Sequence, residues 1–383
     1  MGDFEDKLRA GFDAEAKQTP LPPNLRYRVI AKAVATPRRQ GIAGWLTVPR
    51  LATVGAAAAV LLAAGVGLRA VTQPHPIMAQ HSPTPSPAVL AFGKLPPATL
   101  HPPQGLGGGP NSQTVVPYFG PATMTWAGQL PTVPSSAPVE RFAVPSIADA
   151  DALAGRLGAT LTAPGGPQDP RTYRMPGNYT LAISMNDPVA GEPTFIINYQ
   201  GALGGGSQTE ATARAAAEAA LTQLGLKPAW PSAVTVSTLG AAPLYVIQYQ
   251  HVIQVSSGVT AGEVDGNGDP SGIQVVIDPS GKAIHVTGPV RLAGPATAQS
   301  QPYPITPPSR LVNAAVAATP QVSGEGAPPQ VALTKVTLVY TVVTSNGTGY
   351  LEPAYLFTGT FSSNGVTQEK RVLVPALEAR ALS

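Results

Sequence analysis

The eighteen residues 51–68 carry no charge, and Arg50 and Arg69 bracket them. A helix rises about 1.5 Å per residue, so this run spans roughly 27 Å, close to the ~30 Å hydrocarbon core of a bilayer. Pro49 suits a first helical turn and Trp45 suits an interfacial anchor. The pattern predicts a single transmembrane helix over 47–72, with its span ending at Leu51 and Leu68; the competing reading is a buried helix. Residues 1–50 hold nine Lys or Arg, and all five acids precede residue 16. Positive-inside orientation then places the N-terminus in the cytoplasm and the C-terminal domain outside the cell membrane. A cleaved leader would not carry 50 residues ahead of its apolar core, so an uncleaved signal-anchor is expected, with the lipid bilayer as partner.

The tail, 1–46, reads as two short helices. Phe4, Leu8, Phe12 and Ala16 share one face, and Leu25, Val29 and Ala33 share another. It is expected either to dock a cytoplasmic partner or to lie on lipid through Arg38 and Arg39. Residues 73–135 hold fourteen prolines and no acid, the composition of an extended stalk with a Gly-rich joint at 106–110. Val115, Val116, Tyr118, Phe119 and Trp126 there have strand character.

From residue 136 a helix precedes strands three times, which predicts α+β units at 136–206, 207–298 and 299–383. Ser146 with Asp149 resembles a helix cap closed by Gly158, and Ser207 with Glu210 a capping box closed by Gly225. A third helix is expected near 309–318. Strands are expected at 179–185, 194–199, 233–237, 244–255, 272–277, 282–287, 331–343, 350–361 and 371–377. Asp278-Pro-Ser-Gly281 and Asn346-Gly347 mark tight turns between them. The predicted architecture is a transmembrane helix, a Pro-rich stalk and repeated helix-plus-antiparallel-sheet units.

The chain has no cysteine, which excludes disulfides, thiolate metal sites and cysteine nucleophiles. A net charge of +3 is too small to imply nucleic acid. No Walker loop, nucleophile elbow or His-Glu-x-x-His motif occurs. No enzymatic activity and no cofactor are expected. His75, His81 and His101 fall in the stalk; His251 and His285 lie in strand runs and read as sheet-face residues. The glycine-rich 201–207 segment precedes a helix and could hold an anion, or act as a plain connection. Asp265, Asn267 and Asp269 alternate, with Glu263 nearby, like the start of a calcium loop. Pro270 and Val276 then break that pattern, so a polar hairpin tip is the stronger reading. Tyr350, Glu352 and Tyr355 form an aromatic–acidic cluster, read either as a recognition surface or as a strand with Pro353 at an edge or bulge.

Two stretches carry resemblances. Phe4-Glu-Asp-Lys-Leu-Arg and Leu21-Pro-Pro-Asn-Leu-Arg-Tyr-Arg-Val-Ile, followed by a basic stretch and the apolar run, resemble the inner halves of bacterial single-pass anti-sigma-factor-like proteins, without the zinc-binding His/Cys motif of one such group. The outer part, with its helix at 211–226, the strands at 275–284 and the 337–355 segment, is similar to regulatory ectodomains of the YycH/YycI type and to PepSY-like units. The resemblance implies a membrane regulator acting through protein contacts on a signalling or envelope partner. The alternative is a stalked extracellular module that binds a ligand or the cell wall.

Overall fold

The longest strand, Thr348–Ser363 (β16), changes neighbours along its length, and that change organises the C-terminal half of the molecule. One edge pairs with Lys335–Ser345 (β15) from Thr348 to Thr358. The other pairs first with Ser136–Ala143 (β3), over Thr348 to Leu351, and then with Val366–Pro375 (β17), from Ala354 onward. Gln299–Pro304 (β13) extends β3, and Val115–Tyr118 (β1) lies parallel to β17, giving six strands. The β15–β16 hairpin closes at Asn346 and Gly347, both with positive φ (50° and 76°), which is the tight turn expected there. This computed structural model describes residues 90–98, 115–166, 169–239, 244–294, 298–318, 328–363 and 365–383.

A second sheet has nine strands. Thr160–Ala163 (β4), Arg171–Met175 (β5), Tyr179–Ser184 (β6) and Thr194–Tyr199 (β7) form one half. Ser232–Leu239 (β8), Leu244–Ser256 (β9), Val259–Gly262 (β10), Gly272–Ile277 (β11) and Ala283–Pro289 (β12) form the other. The β7–β12 pairing joins the halves into one antiparallel surface. Helices Ile147–Arg156 (α1) and Glu210–Gln223 (α2) cover it. Ala150, Leu153 and Ala154 of α1, and Ala213, Ala217 and Leu221 of α2, are buried in its core. Spacings of three and four put those side chains on one face of each helix. A separate core under the six-stranded sheet includes Tyr303, Tyr340, Tyr355 and Phe357. Thr123–Trp126 (β2), Gln330–Leu333 (β14) and the short helix Val312–Ala317 (α3) contribute to it.

The expected α+β architecture is corrected. Among the described residues there are seventeen strands and three α-helices, and α3 has six residues. The helix expected near 309–318 is a 3₁₀ turn, Pro308–Arg310, and α3. Helix-plus-sheet units do not stand as repeats, because backbone hydrogen bonds from β12 to β7 run between the first two stretches. The mostly β character follows from long β-branched and aromatic strands of 11, 13 and 16 residues. Strands β3, β4, β5, β10 and β13 were not anticipated; Pro302 and Pro304 argue against a strand, and β13 tolerates them as an edge.

Ser146 caps α1 as expected: its side chain accepts from the Asp149 N–H, and the Asp149 carboxylate accepts from the Ser146 backbone. Helix α2 starts later than expected, at a Thr209/Thr212 box. Residues before it are held elsewhere: Gly204 N–H donates to Asp278 Oδ2 and Gln208 donates to Pro279.

No helix among the described residues is long and apolar enough to cross a membrane, so the single-pass span and signal-anchor are not supported. The run ending at Leu51 and Leu68, the cytoplasmic tail and residues 73–89 and 99–114 of the stalk lie outside the described residues.

Candidate functional site

A buried ionic cluster lies where the two large sheets meet. Its centre is Glu263, which is fully buried just after β10. Its Oε2 stands 2.8 Å from His251 Nδ1 on β9. Its Oε1 accepts from the Ser271 hydroxyl at 2.8 Å and from the Arg291 guanidinium. Arg291 follows β12 in a 3₁₀ turn and donates through Nε to Glu192 Oε2 at 2.8 Å. One guanidinium thus serves two buried carboxylates, a use its rigid fork permits.

Glu192 comes from the β6–β7 loop, 185–193. An Asx arrangement builds that loop: Asp187 Oδ1 accepts the N–H groups of Val189 and Ala190, and Oδ2 accepts the Thr194 hydroxyl. Gly191 takes a φ of 71° and donates to the Asp187 carbonyl. The second oxygen of Glu192, Oε1, has no hydrogen-bond partner. Burial first, and then the negative charge of Glu263, raise the Glu192 carboxyl to about 7 against the pull of Arg291. Glu263 moves the other way. Against burial, Arg291 and His251 hold it at about 2.

The cluster also touches the six-stranded sheet. The Phe142 ring of β3 lies 5.0 Å from the Arg291 guanidinium. Val264 N–H donates to the Tyr340 carbonyl of β15 at 2.8 Å, and Gly266 N–H donates to Val189 in the Glu192 loop.

The sequence-predicted residues fall in other roles. Asp265 Oδ1 accepts the Asn267 and Asp269 N–H groups, and Arg371 bonds the Asp269 carboxylate, so these oxygens hold the loop together. Among the described residues no group of three or more His, Asp or Glu is arranged to hold a metal. Glu352 and Tyr355 are buried within the six-stranded sheet and Tyr350 is half-buried, so the three form no recognition surface. Pro353 stands where β16 passes from β3 to β17, not at an edge. Both Glu352 oxygens lack a partner, and burial pushes its carboxyl up to about 8. The 201–207 glycine loop binds this chain's own Asp278 carboxylate through Gly204. His285 bonds Asn198.

Comparison with known proteins adds likenesses of low degree. No family model and no curated protein matches the chain. An uncharacterized protein from Eubacterium rectale is similar over 63% of this chain and 82% of its own, at 10% identity and a TM-score of 0.29. The YpeB C-terminal domain of Bacillus megaterium is similar over 63% of this chain and 95% of its own, at 12% identity and a TM-score of 0.27. Both scores lie below the level at which two chains share one fold.

Sequence reasoning passed over Glu192 and Arg291 and took Glu263 only as a neighbour of the calcium-like loop. A signal was present. Only 12% of the chain is charged, and Arg291 interrupts the apolar run from Val286 to Ala293. An ionisable residue inside an apolar run calls for a buried partner.

Proposed function

We propose that this chain is a non-catalytic interaction module that takes up an extended segment of a partner protein by strand addition at the free edge of β8. The supporting observation is the character of that edge. Among the described residues β8 pairs only with β9, and its eight residues, Ser-Ala-Val-Thr-Val-Ser-Thr-Leu, contain no charge, proline or glycine. Other edges of the two large sheets carry the usual protection against pairing. Pro117 interrupts β1, and Pro302 and Pro304 interrupt β13. Strands β4 and β10 are four residues long with register shifts, and Val264 meets the outer side of β15 at Tyr340. An unguarded edge of this length is an acceptor for main-chain hydrogen bonds.

The side chains define the ligand. Val234 and Val236 pack against the nine-stranded sheet's core and remain partly exposed at its margin. Ala233 and Thr235 are exposed. The incoming segment is therefore neutral, with β-branched residues on the Val234 side and small polar ones opposite. A signalling or envelope protein is the partner class to test first, following the resemblance of the outer part to regulatory ectodomains.

A photo-reactive residue at position 233 of the full chain should crosslink a partner through an extended segment. Thr235→Lys, a change at an exposed position, should abolish that crosslink without lowering the unfolding temperature. A crosslink that persists with lysine at 235, or that never forms, overturns strand addition.

A further inference from the structure

We infer that Glu192 is a proton-controlled latch between the two large sheets: protonated, it holds the 185–193 loop closed on Arg291; ionised, it lets that loop and the junction beneath it open. This inference is independent of the β8 edge.

The geometry carries it in three steps. First, a single guanidinium faces two buried carboxylates, Glu192 and Glu263. When both are ionised and His251 is neutral, the cluster carries one more negative charge than Arg291 can neutralise. Burial of an excess charge is costly, and the cost is relieved by taking up a proton or admitting water. Second, Glu192 is the member able to respond. Glu263 has all its oxygens engaged, by His251, Ser271 and Arg291. Glu192 has Oε1 unpartnered, and it sits on a loop. Third, that loop is wired to the other sheet. Val189 accepts from Gly266, two residues beyond Val264, which donates to Tyr340 of β15. Arg291, which would lose Glu192 on opening, lies against Phe142 of β3.

The groups facing Glu192 from each packed element can be named. Arg291 comes from the turn after β12, Glu263 from the β10–β11 connection, and Asp187 from its own loop. Asp187 is held by three donors. His251 of β9 stands behind Glu263, with the Trp230 ring edge-on to it at 5.2 Å. Glu192 is raised from an ordinary 4.5 to about 7. In an opened, hydrated loop it returns toward the ordinary value. The open form then binds fewer protons between these values, so opening grows by up to about tenfold per pH unit through that window and levels off above it.

Hydrogen exchange on the full chain tests this. After correction for the intrinsic pH dependence of exchange, the amides of 186–192 and 265–268 should lose protection from pH 5 to pH 7 and change little above that. Glu192→Gln should keep them protected across the range, and Glu352→Gln should leave the wild-type transition in place. Constant protection in the wild type, or an unchanged transition in Glu192→Gln, overturns the latch. Carbon NMR of the wild-type side chain needs no variant. A Glu192 carboxyl titrating near 7, together with shifts at the Phe142 and Tyr340 amides, is expected; titration below 5 overturns the proposal.

Discussion

The Arg291 guanidinium lies 5.0 Å from the centroid of the Phe142 ring, and through that contact the last turn of the nine-stranded sheet rests on the six-stranded one. The same guanidinium bonds Glu192 and Glu263, residues 99 and 28 positions away in sequence. Arginine here is both the counter-ion of the junction and part of its apolar packing.

Removing that counter-ion should be expensive. Arg291→Met leaves Glu192 and Glu263 buried without their shared partner, and a loss of about 3–5 kcal/mol is expected in urea unfolding at pH 7. Arg214→Met removes an exposed partner of Glu218 on α2 and should cost no more than about 0.5 kcal/mol. Equal losses for the two variants would contradict the reading of the junction.

The pH dependence of stability has a definite sign. Burial raises Glu192 and Asp265 to about 7 and Glu352 to about 8. Each contributes stability that is complete below its unfolded value, near 4, and is lost as pH rises through the folded one. Glu263, lowered to about 2, contributes stability that is present above about 4.5 and is lost as pH falls through 2. The unfolding temperature should peak near pH 4–5 and fall steadily toward pH 8. Scanning calorimetry at half-unit steps of pH reads this directly.

Glu352 should be better replaced than kept, as far as stability goes. Both its oxygens are buried without partners. Glu352→Met, which is similar in volume and apolar, should raise stability by about 1–3 kcal/mol at pH 8. The gain should shrink at pH 5, where the carboxyl is already protonated. Urea midpoints at the two pH values provide the test.

Gly272 begins β11 with a φ of 150°, and a Cβ placed there would stand 2.0 Å from the Tyr249 carbonyl oxygen. That neighbour is the backbone of the paired strand β9 and cannot rotate away. Gly272→Ala should therefore lose more than about 2 kcal/mol, combining strain with a broken ladder. Gly225→Ala, at a φ of 65° but with open space around its Cβ, should lose less.

Local chemistry was legible where neighbours in sequence are neighbours in space. The Ser146–Asp149 cap and the Asn346-Gly347 turn both depend on contacts three residues apart or closer. The start of α2 was misread by two residues: the cap is Thr209 with Thr212, and the Gln208 side chain bonds Pro279, 71 residues away. Tyr350, Glu352 and Tyr355 could be read as a surface or as a strand because a strand's sequence does not reveal whether a second layer covers it.

The sequence by itself determined the longer strand runs, the Ser146 cap and the Asn346-Gly347 turn. Tertiary structure alone decided that β12 pairs with β7, that β16 exchanges β3 for β17, and that Glu192, Glu263 and Arg291 converge. The physical reason is range. Propensity, capping and turn chemistry act over a few residues, whereas strand pairing and buried charge compensation join residues up to a hundred or more positions apart and are settled only when the sheets close on each other.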